Sequence, residues 1–567
     1  MAGHPDSDTG GAADPTRWVT LAVTTVTVVI ITLDNTVLNV SIPTILRDFH
    51  TTLPSLQWVI SGYALTFATL LLVGGRLGDL YGHRRIFIIG AALFTIGSLV
   101  ASESTGVATL VLGEAIIEGV GASLMLPATL AILSRTFVGS ERAAAFGVWG
   151  AAGGTSAVLG PVIGGFLTTN YSWRWCFRIN VIIAPLAIVG ALLFMKRDVP
   201  NKHRVPIDLP GAVLIVAGMF LLVFGLSEGG TYGWWQPVGA LTVVGEEIWR
   251  STQAVSVVPV AIAAGIVILA FFVRVEQKRE RRGGDPLFEF SQLRHLGFRY
   301  GLLVTFVMSI GQFGLAFVLP VFLQEGKHLS AAQNGLWQLP TGIFVASGAQ
   351  LGSRLTRRYG VTFVVRAGLL LVVAGFAYVA IVISGGLTFW QLVPGLALYG
   401  TGVGFATTQL TNVVLSDVDR DRSGVAGGAN STARQLGLAL GVAIIGSIMN
   451  SETIARTAAR IRASALPADI KAQAVRQLRS TGVGFAPTNV HGHSQAVLSR
   501  AFVDGVGSGA RLPLVFAASM VGLSFVISLL LPQVRNGMPA VLESAEAVGG
   551  LDGVELAPPE RPTLLLE

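Results

Sequence analysis

The chain is 567 residues long, 52% hydrophobic and only 13% charged, with a mean hydropathy of +0.65 and a net charge of +7. A soluble domain carries about 25% charged residues, so a soluble fold is excluded and an all-α polytopic membrane protein is expected. The basic excess sits in short loops between apolar runs, which points to membrane topology and not to nucleic acid; the single cysteine, Cys176, excludes an intrachain disulfide and a cysteine metal cluster.

Residues 1–16 are small and polar, and the apolar run after them is too long for a signal-peptide core, so no cleaved leader is expected. Runs of about 20 apolar residues span the hydrocarbon core. Fourteen are predicted, at 18–45, 53–77, 86–103, 108–134, 143–168, 175–195, 210–228, 255–275, 299–324, 331–353, 361–384, 389–415, 424–450 and 512–532. An even number puts both termini on one side. One set of short loops carries Arg84 and Arg85, Arg135 and Arg142, Lys196 to Arg204, Lys278 to Arg282, Arg357 and Arg358, Arg420 and Arg422; the opposite set carries few basic residues. The positive-inside rule makes the first set and both termini cytoplasmic, in a multi-pass protein of the cell membrane.

The runs divide as six, two and six. This predicts a tail at 1–17, a six-helix bundle at 18–196, two inserted helices within 197–282, a second bundle at 283–533 that includes the long outer loop 451–511, and a disordered cytoplasmic tail at 534–567. Leu77 and Tyr81-Gly82 recur as Leu355 and Tyr359-Gly360, each after the second run of its bundle. Such an echo suggests two related halves, with a substrate site at their interface near the midplane. The arginine-rich stretch 454–478 is expected to form a surface helix or a mobile loop.

Asp34 lies about 24 Å along the first run, where a charge is expensive and by default functional. Glu114 and Glu118, four apart on the fourth run, share a helix face and reach a similar depth. Three clustered acids are expected to exchange protons at working pH, against the alternative of a locked structural network. Gly74 to Arg85 forms a tight loop after the second run. In it glycines permit a turn, Asp79 can accept from a helix N-terminus or pair with an arginine, and Arg84 and Arg85 anchor the loop at the anionic leaflet. The fifth run carries Gly150, Gly153 and Gly154, then Gly160-Pro161-Val162-Ile163-Gly164-Gly165. Small residues four apart allow close helix approach, either as a gate seam or as plain packing. Arg434 is a buried cation in the thirteenth run, free to pair across a cavity, bind an anionic group or be satisfied by carbonyls and water. Asn35, Gln312, Gln338 and Gln409 are candidates to line that cavity or to bond helices together. His491 and His493 lack further ligands, so no metal site and no cofactor are expected.

Taken together these segments resemble the major facilitator superfamily, and within it the fourteen-helix drug:proton antiporter branch. Asp34 to Pro43 resembles that branch's first-helix motif. Gly75, Leu77, Asp79, Gly82, Arg84 and Arg85 match the superfamily's signature loop, and Gly160 to Gly165 match the antiporter motif of helix five. Trp58 to Tyr63, Ser172 to Trp175 and Arg434 to Gly437 are also similar to branch members. The resemblance implies two six-helix bundles plus two inserted helices, working by alternating access, with Asp34 coupling protons to export. It departs in helix four, where the family's arginine is Ala115 and its glutamine is Glu118, so an all-carboxylate relay of Asp34, Glu118 and Glu114 is expected. The second half also has Arg357 in the place of Asp79. Export of a lipophilic, cationic or neutral drug by a monomer is the first reading. Proton-coupled uptake or facilitated transport of a metabolite, and a receptor or scaffold that does not transport, are the others. No nucleophile–base pair suggests an enzyme.

Overall fold

The computed structural model describes residues 16–137, 139–196, 208–243, 246–284, 286–288, 290–416, 423–487, 490–535 and 538–539. The tails at 1–15 and 540–567 lie outside that set, as do Arg197, Lys202, Arg204, Arg420 and Arg422, the side chains of Asn35 and Arg357, and the surroundings of Gly154.

The first half comprises α1 (Arg17–Phe49), α2 (Leu53–Tyr81), α3 (His83–Ser102), α4 (Val107–Thr136), α5 (Gly139–Asn170) and α6 (Trp175–Phe194). Two further helices, α7 (Leu209–Ser227) and α8 (Val257–Arg281), pair with each other and flank a two-stranded hairpin, β1 (Leu241–Val243) and β2 (Glu246–Trp249). The second half comprises α9 (Leu296–Gly326), α10 (Ala331–Tyr359), α11 (Val361–Val382), α12 (Phe389–Ser416) and α13 (Ser423–Ala463). It continues through α14 (Ala468–Thr481), α15 (His493–Gly509) and α16 (Arg511–Ser528). Each predicted apolar run falls on one of these helices. Among the described residues ten helical segments have the length and apolarity to cross a bilayer, or eleven when α2, bent by 45° near Leu71, is taken as one span. Helices α5, α10 and α12 are not among those segments. Large side chains such as Leu186, Leu193, Val267, Phe271, Leu370 and Ile381 point outward, which suits a periphery solvated by lipid tails.

Local chemistry explains where helices stop. Gly82 (φ +97°) ends α2 and starts α3, and Gly360 (φ +85°) does the same between α10 and α11. Both backbones need the left-handed region that glycine permits, so the Tyr-Gly echo in the sequence marks the same corner in each half. Ser330 caps α10 with a reciprocal capping box through Gln333. Asp208 caps α7, and Arg279 of α8 sits 2.7 Å from it, tying the inserted pair together. Trp58 of α2 donates its indole N–H to Glu228 at 2.6 Å, which holds the end of α7 against the first half.

The halves meet along two seams, α2 with α13 and α5 with α10. Several contacts between the halves lie at the end opposite the basic loops. Gln57 donates to the Val442 carbonyl, Gln324 to the Val40 carbonyl at 2.7 Å, and the Ala332 N–H to Thr169 at 2.9 Å. Arg47 and Glu325 face each other at 3.9 Å. Toward the basic-loop end, a methyl added at Gly150 of α5 or Gly427 of α13 would meet nothing within 4 Å.

The loop expected at 451–511 is folded. Helix α13 runs on to Ala463, because Thr453 and Thr457 pack against Gly509 and Gly505 of α15. Leu478, Val483, Phe485, Leu498 and Phe502 are buried beneath this cap, and the burial of apolar surface is what orders it.

Candidate functional site

Helices α3 and α4 approach closely because glycines face one another. A methyl at Gly97 would lie 2.5 Å from the Glu118 nitrogen, and one at Gly113 would lie 2.6 Å from the Ala101 nitrogen. Close to that contact α4 is π-helical over Val111–Glu118, a wider turn that often marks functional positions. It turns Glu114 and Glu118 toward Asp34 of α1, and the three carboxylates present oxygens within 4.8 Å of one another. All three are buried, at 2%, 2% and 0% exposure for Asp34, Glu114 and Glu118.

Two donors hold the cluster. The Asn180 amide of α6 donates to Asp34 at 2.8 Å and to Glu118 at 3.1 Å, and the Ser98 hydroxyl of α3 donates to Glu118 at 2.7 Å. Neither residue stood out in the sequence, although Asn180 is an amide inside an otherwise apolar run. With no cation beside them among the described residues, three carboxylates this close cannot all be ionised in a buried site. The arrangement can hold protons, and it is the group of acidic side chains, among the described residues, close enough to share a metal ion. Ala115, where the family resemblance leads one to expect arginine, is buried against Gly62, where an added methyl would lie 3.0 Å from the Ala115 Cβ.

The glycines of α5 serve two neighbours. Gly160 and Gly164 pack on α1, where added methyls would lie 2.7 Å from Thr36 Cβ and 2.8 Å from the Val37 carbonyl. The same segment faces α10: a methyl at Gly165 would lie 2.9 Å from the Ala331 carbonyl carbon, and one at Gly335 would lie 2.9 Å from the Pro161 carbonyl carbon. Gly160 to Gly165 therefore touches both the helix bearing Asp34 and the opposite half.

In the loop after α2, Gly75 makes only ordinary contact with Pro127, whereas Gly82 forms the turn. Asp79 is exposed and pairs with His83 at 3.3 Å. Arg84 donates to the carbonyls of Ala191 and Leu192 at 2.9 and 2.6 Å, capping the end of α6. Arg85 is exposed.

In the second half, Arg434 and Gln312 line one small cleft between α9, α12 and α13. Gln409 is buried nearby and accepts from Asn412 at 3.1 Å. Gln338 donates instead to Asn334 on its own helix, at 2.8 Å.

The model of the Major Facilitator Superfamily matches this chain twice, over residues 24–226 and 211–442, once for each half. The chain belongs to the Major Facilitator Superfamily. It is therefore a membrane-embedded, multi-pass transporter of small molecules and not an enzyme. Among its relatives, the probable actinorhodin transporter of Streptomyces coelicolor is 36% identical over 455 residues, covering 77% of this chain and 74% of that one. The puromycin resistance protein pur8 of Streptomyces alboniger is 33% identical over 446 residues, covering 78% and 84%. Among solved structures, a bacterial homolog of the human lysosomal transporter Spinster superposes with a TM-score of 0.59 at 16% identity, covering 91% of this chain and 98% of that one. This last likeness concerns the fold alone.

Proposed function

We propose that this member of the superfamily is a proton-coupled antiporter that exports lipophilic drugs or toxic metabolites from the cytoplasm. The names of the relatives, an antibiotic transporter and a resistance protein, support export of such compounds. One observation carries the coupling: Asp34, Glu114 and Glu118 are buried together and oriented by Asn180 and Ser98, on helices next to the α5 glycine seam. In this reading the basic loops are cytoplasmic, so the cross-half contacts of Gln57, Gln324 and Ala332 lie at the outer side.

In this reading protons reach the cluster from outside when the halves rock, since the seam glycines let α5 move against α1 and α10. Protonation neutralises the buried charge, and release inside resets the site for substrate. Each charge moved through 100 mV supplies about 2.3 kcal/mol and each pH unit about 1.4 kcal/mol, so one or two protons drive a roughly hundredfold or larger gradient. The loop of Gly75, Asp79, Gly82, Arg84 and Arg85 fastens the cytoplasmic corner of the first half, through the α6 carbonyls.

The test is dye uptake into everted vesicles under an imposed pH gradient, comparing wild type with Asp34→Asn and Glu118→Gln. Gradient-driven uptake that Asp34→Asn abolishes and Glu118→Gln reduces at least tenfold is the expected result. Uptake that neither substitution changes rules out the carboxylate cluster as the coupling site.

A further inference from the structure

The three carboxylates belong to the first half, and the second half carries the opposite charge. Gly437 and Gly441 of α13 pack against the backbone of α9 at Phe306 and Ile310, which brings the preceding turn of α13 over the polar face of α9. That turn bears Arg434, whose side chain is exposed to the cleft about 11 residues along the helix. Among the described residues no carboxylate lines this cleft and no hydrogen bond or ion pair engages the guanidinium. An arginine at such depth is expensive unless a polar cavity or a counter-charge receives it.

The walls fit a ligand with an acidic group. Thr305, Ser309, Gln312, Thr411 and Asn430 surround the arginine with hydroxyl and amide groups. Asn430 is itself fixed, accepting from Thr305 at 3.0 Å and donating to Thr411 at 3.3 Å. Met308 and Leu410 add an apolar flank, the kind of surface that an apolar group packs against. A guanidinium binds a carboxylate through two parallel N–H donors, a geometry a lysine or a water does not reproduce.

We infer that Arg434 forms an anion subsite in the second half, and that the transported compounds carry an acidic oxygen group, such as a carboxylate or an ionised phenol, on an apolar body. This deepens the export reading and rests on it only for there being a transported substrate. It replaces the cationic or neutral character suggested by the excess of intramembrane carboxylates in the sequence: those acids lie buried in the first half, while the cleft itself presents a positive charge.

The experiment titrates purified full-length protein in nanodiscs, at pH 7 and without a proton gradient. The probes are naphthalene-, anthracene- and phenazine-carboxylic acids, each beside its methyl ester, with binding read from ligand fluorescence. At least one acid is expected to bind tenfold or more tightly than its ester. Arg434→Gln is expected to remove that preference while leaving the ester within twofold of wild type, Arg434→Lys to keep part of it, and salt raised from 50 to 500 mM to weaken the acid alone. The inference is overturned if no acid outbinds its ester on wild type, including the case where none binds, or if the preference survives in Arg434→Gln. Should that variant not purify as a folded protein, the wild-type acid–ester comparison and its salt dependence decide the question. Acid preference in a protein whose vesicle uptake ignores Asp34 would remove the proton coupling and leave the subsite standing; the opposite pair of results would remove the subsite alone.

Discussion

The seam between α5 and α10 offers the sharpest test of how the halves move. A methyl at Gly335 would sit 2.9 Å from the Pro161 carbonyl carbon and 3.0 Å from Val162 Cα. Ordinary contact begins near 3.4 Å, and both neighbours are helix backbone with no rotamer to yield. In Gly335→Ala the two helices must therefore part by about 0.5–1 Å, and overpacking of this kind costs about 1–3 kcal/mol. The strain falls on the form closed at the end opposite the basic loops, so its population relative to the other form should fall roughly fivefold to hundredfold. A cysteine introduced at Ala331, which is buried beside Gly165 in this form, and challenged with a membrane-impermeant maleimide reads this directly, because the position opens as the seam opens. Labelling should rise in Gly335→Ala. The control is Gly150→Ala, where the methyl meets nothing within 4 Å; there labelling should stay at the parent level and thermal stability should hold or improve, since alanine is the better helix former. Equal labelling of Gly335→Ala and its parent, with equal thermal stability, would refute the seam argument.

Two further outcomes follow from polar contacts. Asn180→Ala removes donors to both Asp34 and Glu118; a hydrogen bond to a charged group contributes about 1.5–3 kcal/mol, so gradient-driven uptake should fall tenfold or more, and a rate within twofold of wild type would show that the amide plays no part. Asp208 governs the inserted pair: burial pushes its carboxyl up, but hydrogen bonds from Glu276 and the Gly211 N–H, with the Arg279 charge, outweigh that and hold it below the usual carboxylate range. A lowered value in the folded state means stability present above the unfolded value, near 4, and lost as pH falls through the folded one. Asp208→Asn should accordingly cost about 2 kcal/mol at pH 7, with the gap to wild type closing below about pH 4 in thermal unfolding scans; a gap independent of pH would contradict the ion pair's role.

Much of this protein was legible in its residues. The apolar runs located the helices, because a bilayer demands long stretches with satisfied backbone and few charges. Asp34, Glu114, Glu118 and Arg434 stood out because charge is rare at that depth, and Tyr81-Gly82 with Tyr359-Gly360 marked matching corners because only glycine turns there without strain. The glycines of α5 announced a close approach without saying to what.

Tertiary structure decided the partners. Asn180 and Ser98 join the carboxylates from positions 146 and 20 residues away from Asp34 and Glu118 respectively, and no local pattern distinguishes them from other polar residues in an apolar helix. The same holds for the two faces of Gly160 to Gly165, for the folding of residues 451–511 into a cap, and for the emergence of Arg434 into a cleft and not against an acid. Helix periodicity records how apolar each face is; which face meets which neighbour is set by backbone approach between helices far apart in the chain, and that exists only once the bundle has packed.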